Sequence, residues 1–103
     1  MDNRAVILVD DPNWVWRDMP FCHMASDTSL EELHAFARWL GVPERAFGGD
    51  HYDIPDHVRS TAIDEGALPV SSRALVEALY RSGQRRRPGT RQGDGPGISR
   101  DAR

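Results

Sequence analysis

Ala5-Val6-Ile7-Leu8-Val9, followed by Asp10-Asp11-Pro12, is the stretch whose reading decides the fold. The five apolar residues are unbroken and rich in β-branching, which is how a strand covered on both faces reads. Such strands belong to α/β sheets with helices on either side, and the run predicts a central parallel strand. Asp10 then stands at the carboxyl end of that strand, where open α/β sheets hold their ligands. An Asp-Pro exit turn gives the same residues a purely local reason.

Outward from this strand the chain alternates. Asn13 to Met24 reads as a connection carrying Trp14, Trp16 and Phe21, an aromatic flap or the lip of a pocket. Thr28-Ser29 with Glu31-Glu32 forms a capping-box signature. The helix it opens runs to about Leu40 with Leu30, Leu33, Phe36, Ala37 and Leu40 as its apolar stripe, and Gly41 supplies a left-handed stop. His34 lies at the stripe's edge, where half-buried packing is the ordinary role. Arg45-Ala46-Phe47 reads as a short second strand. Pro55 opens a helix over Asp56 to Glu65, with Val58, Thr61 and Ala62 facing inward and Asp53 available as its cap. Ala67-Leu68-Pro69-Val70 is a short strand that Pro69 confines to an edge. Ser71 or Ser72 caps a third helix with Leu75, Val76, Leu79 and Tyr80 inward, and Gly83 ends it. The expected architecture is a small three-layer β-α-β-α-β-α domain over residues 1–83, with a mainly parallel three-stranded sheet.

The charge is divided along the chain. Residues 1–80 carry a net −8, whereas residues 81–103 carry +5, and all thirteen cations are arginine. The absence of lysine excludes Schiff-base and phosphate-loop lysine chemistry. Residues 84–103 are Arg-, Gly-, Pro-, Ser- and Asp-rich, too polar to offset their ordering entropy, so a disordered basic tail is expected. Arg85, Arg86 and Arg87 give that tail a route to nucleic acid. An acidic body would repel phosphate, so a solubilising tail is the favoured reading. The one cysteine, Cys22, excludes an internal disulfide, and as a small buried hydrophobe it is expected to be inert. The start has neither a basic and apolar leader nor a run of membrane-spanning length, so a cytoplasmic protein with no membrane role is expected.

Candidate chemistry centres on Asp50-His51-Tyr52-Asp53-Ile54-Pro55. In extended chain His51 and Asp53 share a face and Tyr52 points away. A His-x-Asp pair can bind a metal, or its carboxylate can orient its imidazole. Asp10, His23, Asp27 and His34 are of the same chemical kind.

These motifs resemble a known family. Asp27-Thr28-Ser29-Leu30-Glu31-Glu32-Leu33-His34-Ala35-Phe36-Ala37, Leu40-Gly41-Val42-Pro43, His51-Tyr52-Asp53 and Glu65-Gly66-Ala67 are similar to the small bacterial and phage proteins catalogued as domain of unknown function 4031. The resemblance spans about Val6 to Leu79. It implies a shared motif set of Val9-Asp10, His23, Asp27, His34, His51 and Asp53, without a mechanism. Relatives tend to carry serine at the position of Cys22. They also tend to carry His-Gly after the tryptophan, where this chain has Trp14-Val15-Trp16-Arg17-Asp18.

Two functions follow as expectations. In the first, a hydrolase or nuclease-like enzyme acts on a phosphate-containing substrate. Asp10, Asp27 and Asp53 would hold a divalent ion such as magnesium or manganese, the alternative being zinc with the histidines as ligands, which no HxH or HxxxH spacing supports. His23, His34 or His51 would move protons, while Arg59 and Trp14 would hold the substrate. In the second, a non-catalytic module binds a nucleotide, nucleic acid or protein, and the polar cluster serves recognition or structure.

Overall fold

The computed structural model describes residues 6–86. Its elements, in chain order, are β1 (Ile7–Val9), β2 (Trp14–Trp16), β3 (Met19–Ser26), α1 (Leu30–Leu40), a 3-10 turn (Glu44–Ala46), β4 (Tyr52–Pro55), α2 (Asp56–Asp64), β5 (Leu68–Pro69) and α3 (Ser72–Arg81).

The three-layer α/β expectation holds, but the sheet is mixed and has five strands. Its path is β2-β3-β1-β5, with β4 on the other edge of β3. Only β1 and β5 pair in parallel; β3 is antiparallel to β1, β2 and β4. The true centre is therefore β3, which begins inside the stretch read as a connection and runs two residues past its end. The reversal that creates it is a two-residue turn in which Arg17 and Asp18 both take positive φ, 53° and 63°. Hairpins demand that conformation, and Asn-Gly or Asp-Gly is its usual signal. Arg-Asp gives none, and Pro20 inside the following run argues against a strand.

β1 is buried on both faces and interior to the sheet, as expected, but it is parallel only to β5 and antiparallel to β3. Ile7 and Val9 enter a cluster with Cys22, Met24, Tyr52, Ile54, Leu33, Ala37 and Ala62, under α1 and α2. Leu8 and Ala25 point the other way, into Leu75, Ala78 and Leu79 of α3. An uninterrupted apolar strand needs a cover on each face, and antiparallel neighbours supply the ladder as well as parallel ones do.

The helices form largely where their caps predict. Ser29 caps α1 through Glu32 N–H, and Gly41 closes it at φ 81°. Ser71 caps α3 through Ala74 N–H, which leaves Ser72 free for another partner. β5 is an edge strand, as Pro69 requires. Three local readings are corrected. Arg45–Phe47 is not a strand: Glu44–Ala46 is a 3-10 turn, and Phe47 makes only an isolated bridge to Tyr52. Asp53 does not cap α2, because it is inside β4 and Pro55 takes the cap position without a side-chain bond. Thr61 is exposed and donates to His57 C=O, while Ala62 and Ile63 carry the inward contacts.

Gln84 and Arg85, assigned to the tail, are docked on the body. Gln84 donates to Ser26 C=O at 2.9 Å, and Arg85 N–H donates to Leu79 C=O at 3.0 Å. Arg86 is exposed; Arg87 and the rest of the expected tail lie outside the described residues. Among the described residues no helix is long and apolar enough to cross a membrane.

Candidate metal centre

Strand alternation builds the site. Cys22, Met24, Tyr52 and Ile54 face the α1/α2 layer, so their neighbours His23 and Asp53, paired across β3 and β4, face the α3 side. α3 packs over Leu8 and Ala25 on that side. His23 and Asp53 stand beside that packed cluster and keep part of their surface in solvent.

Two imidazoles and one carboxylate converge there. His23 Nε2 is 3.8 Å and His51 Nε2 is 3.3 Å from Asp53 Oδ1, and one atom from each of the three lies within 4.8 Å of the others. The two rings meet edge to face with centroids 5.1 Å apart.

Each ring is fixed from behind by a second carboxylate. His23 Nδ1 is 2.9 Å from Asp10 Oδ2, and His51 Nδ1 is 2.8 Å from Asp50 Oδ1. An ionised carboxylate only accepts, so each Nδ1 carries the hydrogen and donates it. Nε2 is then the free nitrogen. Two Nε2 lone pairs face a carboxylate oxygen, an arrangement that repels itself unless a proton or a metal cation lies between. Imidazoles held through Nδ1 by carboxylates are the usual supporting arrangement of metal-binding histidines.

The supporting carboxylates are themselves anchored. Asp10 is 1% exposed, and besides His23 Nδ1 it accepts from His23 N–H at 2.7 Å and Ser72 Oγ at 2.8 Å. Asp50 accepts two hydrogen bonds from Arg85, at 2.8 and 2.9 Å. Burial pushes the Asp50 carboxyl up, but the bonds and charges of Arg85 and His51 outweigh it, and its pKa falls below the usual carboxylate value. Gly48 completes the cradle, because a Cβ at that position would come within 2.9 Å of His51 Nε2.

The structure brings together Asp10, His23, His51 and Asp53 of the expected residues, and separates the others. His34 lies across the sheet, hydrogen-bonded through Nδ1 to Tyr52 Oη at 2.7 Å and packed on Phe47. The edge of a helical stripe does not tell which side of the sheet the helix covers. Asp27 is at the opposite end of β1, about 13 Å along the strand. It bonds Val6 N–H and Thr28 Oγ there, while Asp10 pairs with His23. Arg59 does not grip an open site: its Nε donates to Asp10 C=O at 2.7 Å and Nη2 is 3.8 Å from Asp11, so it braces the β1 exit. Trp14 stacks on Phe21 with centroids 5.0 Å apart and lies 6.1 Å from the His23 ring. Cys22 is fully buried beside the site, and burial, reinforced by Asp10, pushes its thiol up to about 12. At neutral pH it is no nucleophile.

Ser72, Arg85 and Gly48 were missed as contributors, and Asp50 belonged to the central stretch without a role of its own. The only local signal was Asp50 beside His51; the rest depends on long-range contacts.

No curated protein and no solved structure matches the chain. A family model described as a protein of unknown function matches residues 7–82, which span every element of the site up to α3. That match covers well over half of the chain and agrees with the motifs read from the sequence, so the chain belongs to the DUF4031 family.

Proposed function

We propose that the chain is a metal-dependent hydrolase of phosphate esters, its cation held by His23, His51 and Asp53. The observation that carries this reading is the pair of Nε2 atoms aimed at Asp53 Oδ1, each ring set by its own carboxylate. Ligand bonds of about 2.0–2.1 Å in a tetrahedral centre separate donor atoms by about 3.3 Å. The 3.3 Å separation already matches and the 3.8 Å one needs about 0.5 Å, while all three donor atoms lie within 4.8 Å of one another, so the rings must draw together when the ion binds.

Two imidazoles and one carboxylate suit zinc or iron(II) better than the magnesium or manganese expected from an all-aspartate set, and zinc is the redox-inert choice for a hydrolase. Three protein ligands leave a position open, which is the pattern of catalytic rather than structural zinc. With two neutral imidazoles and one carboxylate as ligands, the ion would keep Lewis acidity to spare for a phosphate oxyanion at its open position. Bound there, the ion would lower the pKa of a coordinated water to about 7 and polarise a phosphoryl group. His23 and His51 act in this reading as ligands rather than as proton carriers, and Asp10 and Asp50 hold their tautomers.

Release of nitrophenolate from 4-nitrophenyl phosphate and its bis-ester, with zinc, manganese or magnesium added in turn, tests it. Zinc-dependent turnover that disappears in Asp53→Ala and persists in His34→Ala is expected. Tight zinc binding with no turnover of either ester would instead favour the non-catalytic binding module.

A further inference from the structure

A groove of about 610 Å³ adjoins the cluster, and Asp53 belongs to both. Trp14, Trp16, Phe21 and Phe47 line it, with Arg45 at its wall. Trp14 stacks on Phe21 at an interplanar angle of 27°, and Trp16 meets Phe21 edge-on at 5.8 Å. Trp16 is 53% exposed, and the Arg17 guanidinium lies 4.5 Å from its ring centroid. This aromatic wall does more than fill the core: Trp16 presents ring surface to solvent, and half-buried Trp14, 6.1 Å from the His23 ring, joins the wall to the cluster.

Resting on the metal-centre reading above, we infer that this groove takes the base of a nucleoside monophosphate whose phosphate reaches the cation. A planar ring stacks on indole and phenyl faces with little regard to its identity. Arg45 at the groove wall adds positive charge to that of the ion, complementary to a phosphate. The volume falls in the range of small-ligand clefts, about 300–1,000 Å³. An oligonucleotide is disfavoured because residues 1–80 carry a net −8, which repels a polyanion. The substrate class within phosphate esters is therefore set by the ring, through Trp16 and Trp14, and not by the metal ligands.

Calorimetric titration of zinc-loaded full-length protein with adenosine 5′-monophosphate and with ribose 5-phosphate separates the two contributions. Both probes carry the same sugar phosphate, and only one carries a base. Adenosine monophosphate is expected to bind at least about tenfold tighter. In Trp16→Ala, a half-exposed position whose loss leaves the core intact, that preference should vanish while zinc affinity stays unchanged. Equal affinity for the two probes, or a preference that survives both Trp16→Ala and Trp14→Leu, overturns the ring subsite and leaves the metal centre standing. Zinc binding without binding of either probe overturns the phosphate substrate class. Failure to bind zinc at all overturns the metal centre and the inference with it. A ten-nucleotide single strand that outcompetes adenosine monophosphate at low salt overturns the mononucleotide assignment in favour of nucleic acid.

Discussion

Gly48→Ala gives the sharpest perturbation of the site, because it removes no ligand and changes no charge. A methyl group there would lie 2.9 Å from His51 Nε2 and 3.1 Å from Cε1. Ordinary contact begins near 3.4 Å, so the ring must retreat by about 0.5 Å. Metal–ligand distances tolerate about ±0.2 Å. The ring is also tethered at Nδ1 to Asp50 by a 2.8 Å bond, so it cannot shift without disturbing that bond. Changes in the residues that support metal ligands typically lower affinity by about 10–100-fold. A loss of at least about tenfold in zinc affinity is therefore expected, about 1.4 kcal/mol. The fold should barely notice. Gly48 is not among the glycines with positive φ, so alanine meets no backbone strain there. Reduced freedom of the unfolded chain contributes about 0.4–1 kcal/mol in its favour, against the local crowding. Competition against a zinc-sensitive dye measures the affinity, and thermal melting in chelator measures the fold. An unchanged zinc affinity in a folded Gly48→Ala protein would refute the assignment of His51 Nε2 as a ligand.

Three further outcomes follow from the same geometry. Arg85→Ala removes a bidentate, partly exposed partner of Asp50 and should cost about 1.5 kcal/mol at neutral pH, read as a fall of about 6–12 °C in Tm. Because the Asp50 pKa is lower in the folded state, its contribution is complete above the unfolded carboxylate value of about 3.9 and is lost as pH falls through the folded value. The gap between wild type and Arg85→Ala should therefore narrow as pH falls below the unfolded carboxylate value of about 3.9; a gap independent of pH would contradict the pairing. Cys22, fully buried with its thiol pushed up to about 12, should resist iodoacetamide at pH 8 until the protein unfolds, and rapid native-state alkylation would contradict that burial. His34→Ala should lower stability through the lost Tyr52 bond and leave zinc affinity unchanged, so a large loss of affinity would place His34 at the site after all.

The sequence made the helices legible because their ends are written locally. Ser29, Gly41 and Ser71 act through neighbours three or four residues away, and each does what its type predicts. The face shared by His51 and Asp53 was legible for the same reason, since alternation along extended chain needs no tertiary information. The hairpin was not legible. Its turn uses Arg17 and Asp18 in a conformation that leaves no compositional trace, and without the hairpin His23 cannot be placed against Asp53. Composition also misplaced Arg85, because a segment average cannot register one arginine that meets a half-buried carboxylate 35 positions earlier. The grouping of aspartates as ligands failed for a related reason. Asp10 and Asp27 flank strands that run past one another, and the pairing between those strands, not residue type, sends them to opposite ends.

The central claim is that His23, His51 and Asp53 form one cation site, and zinc stoichiometry tests it most directly. Equilibrium dialysis followed by elemental analysis should find one zinc per chain in the wild type. It should find almost none in the His23→Ala/His51→Ala double variant, provided circular dichroism shows that the variant is folded. A wild type that retains no zinc, or a folded double variant that retains it fully, would contradict the account.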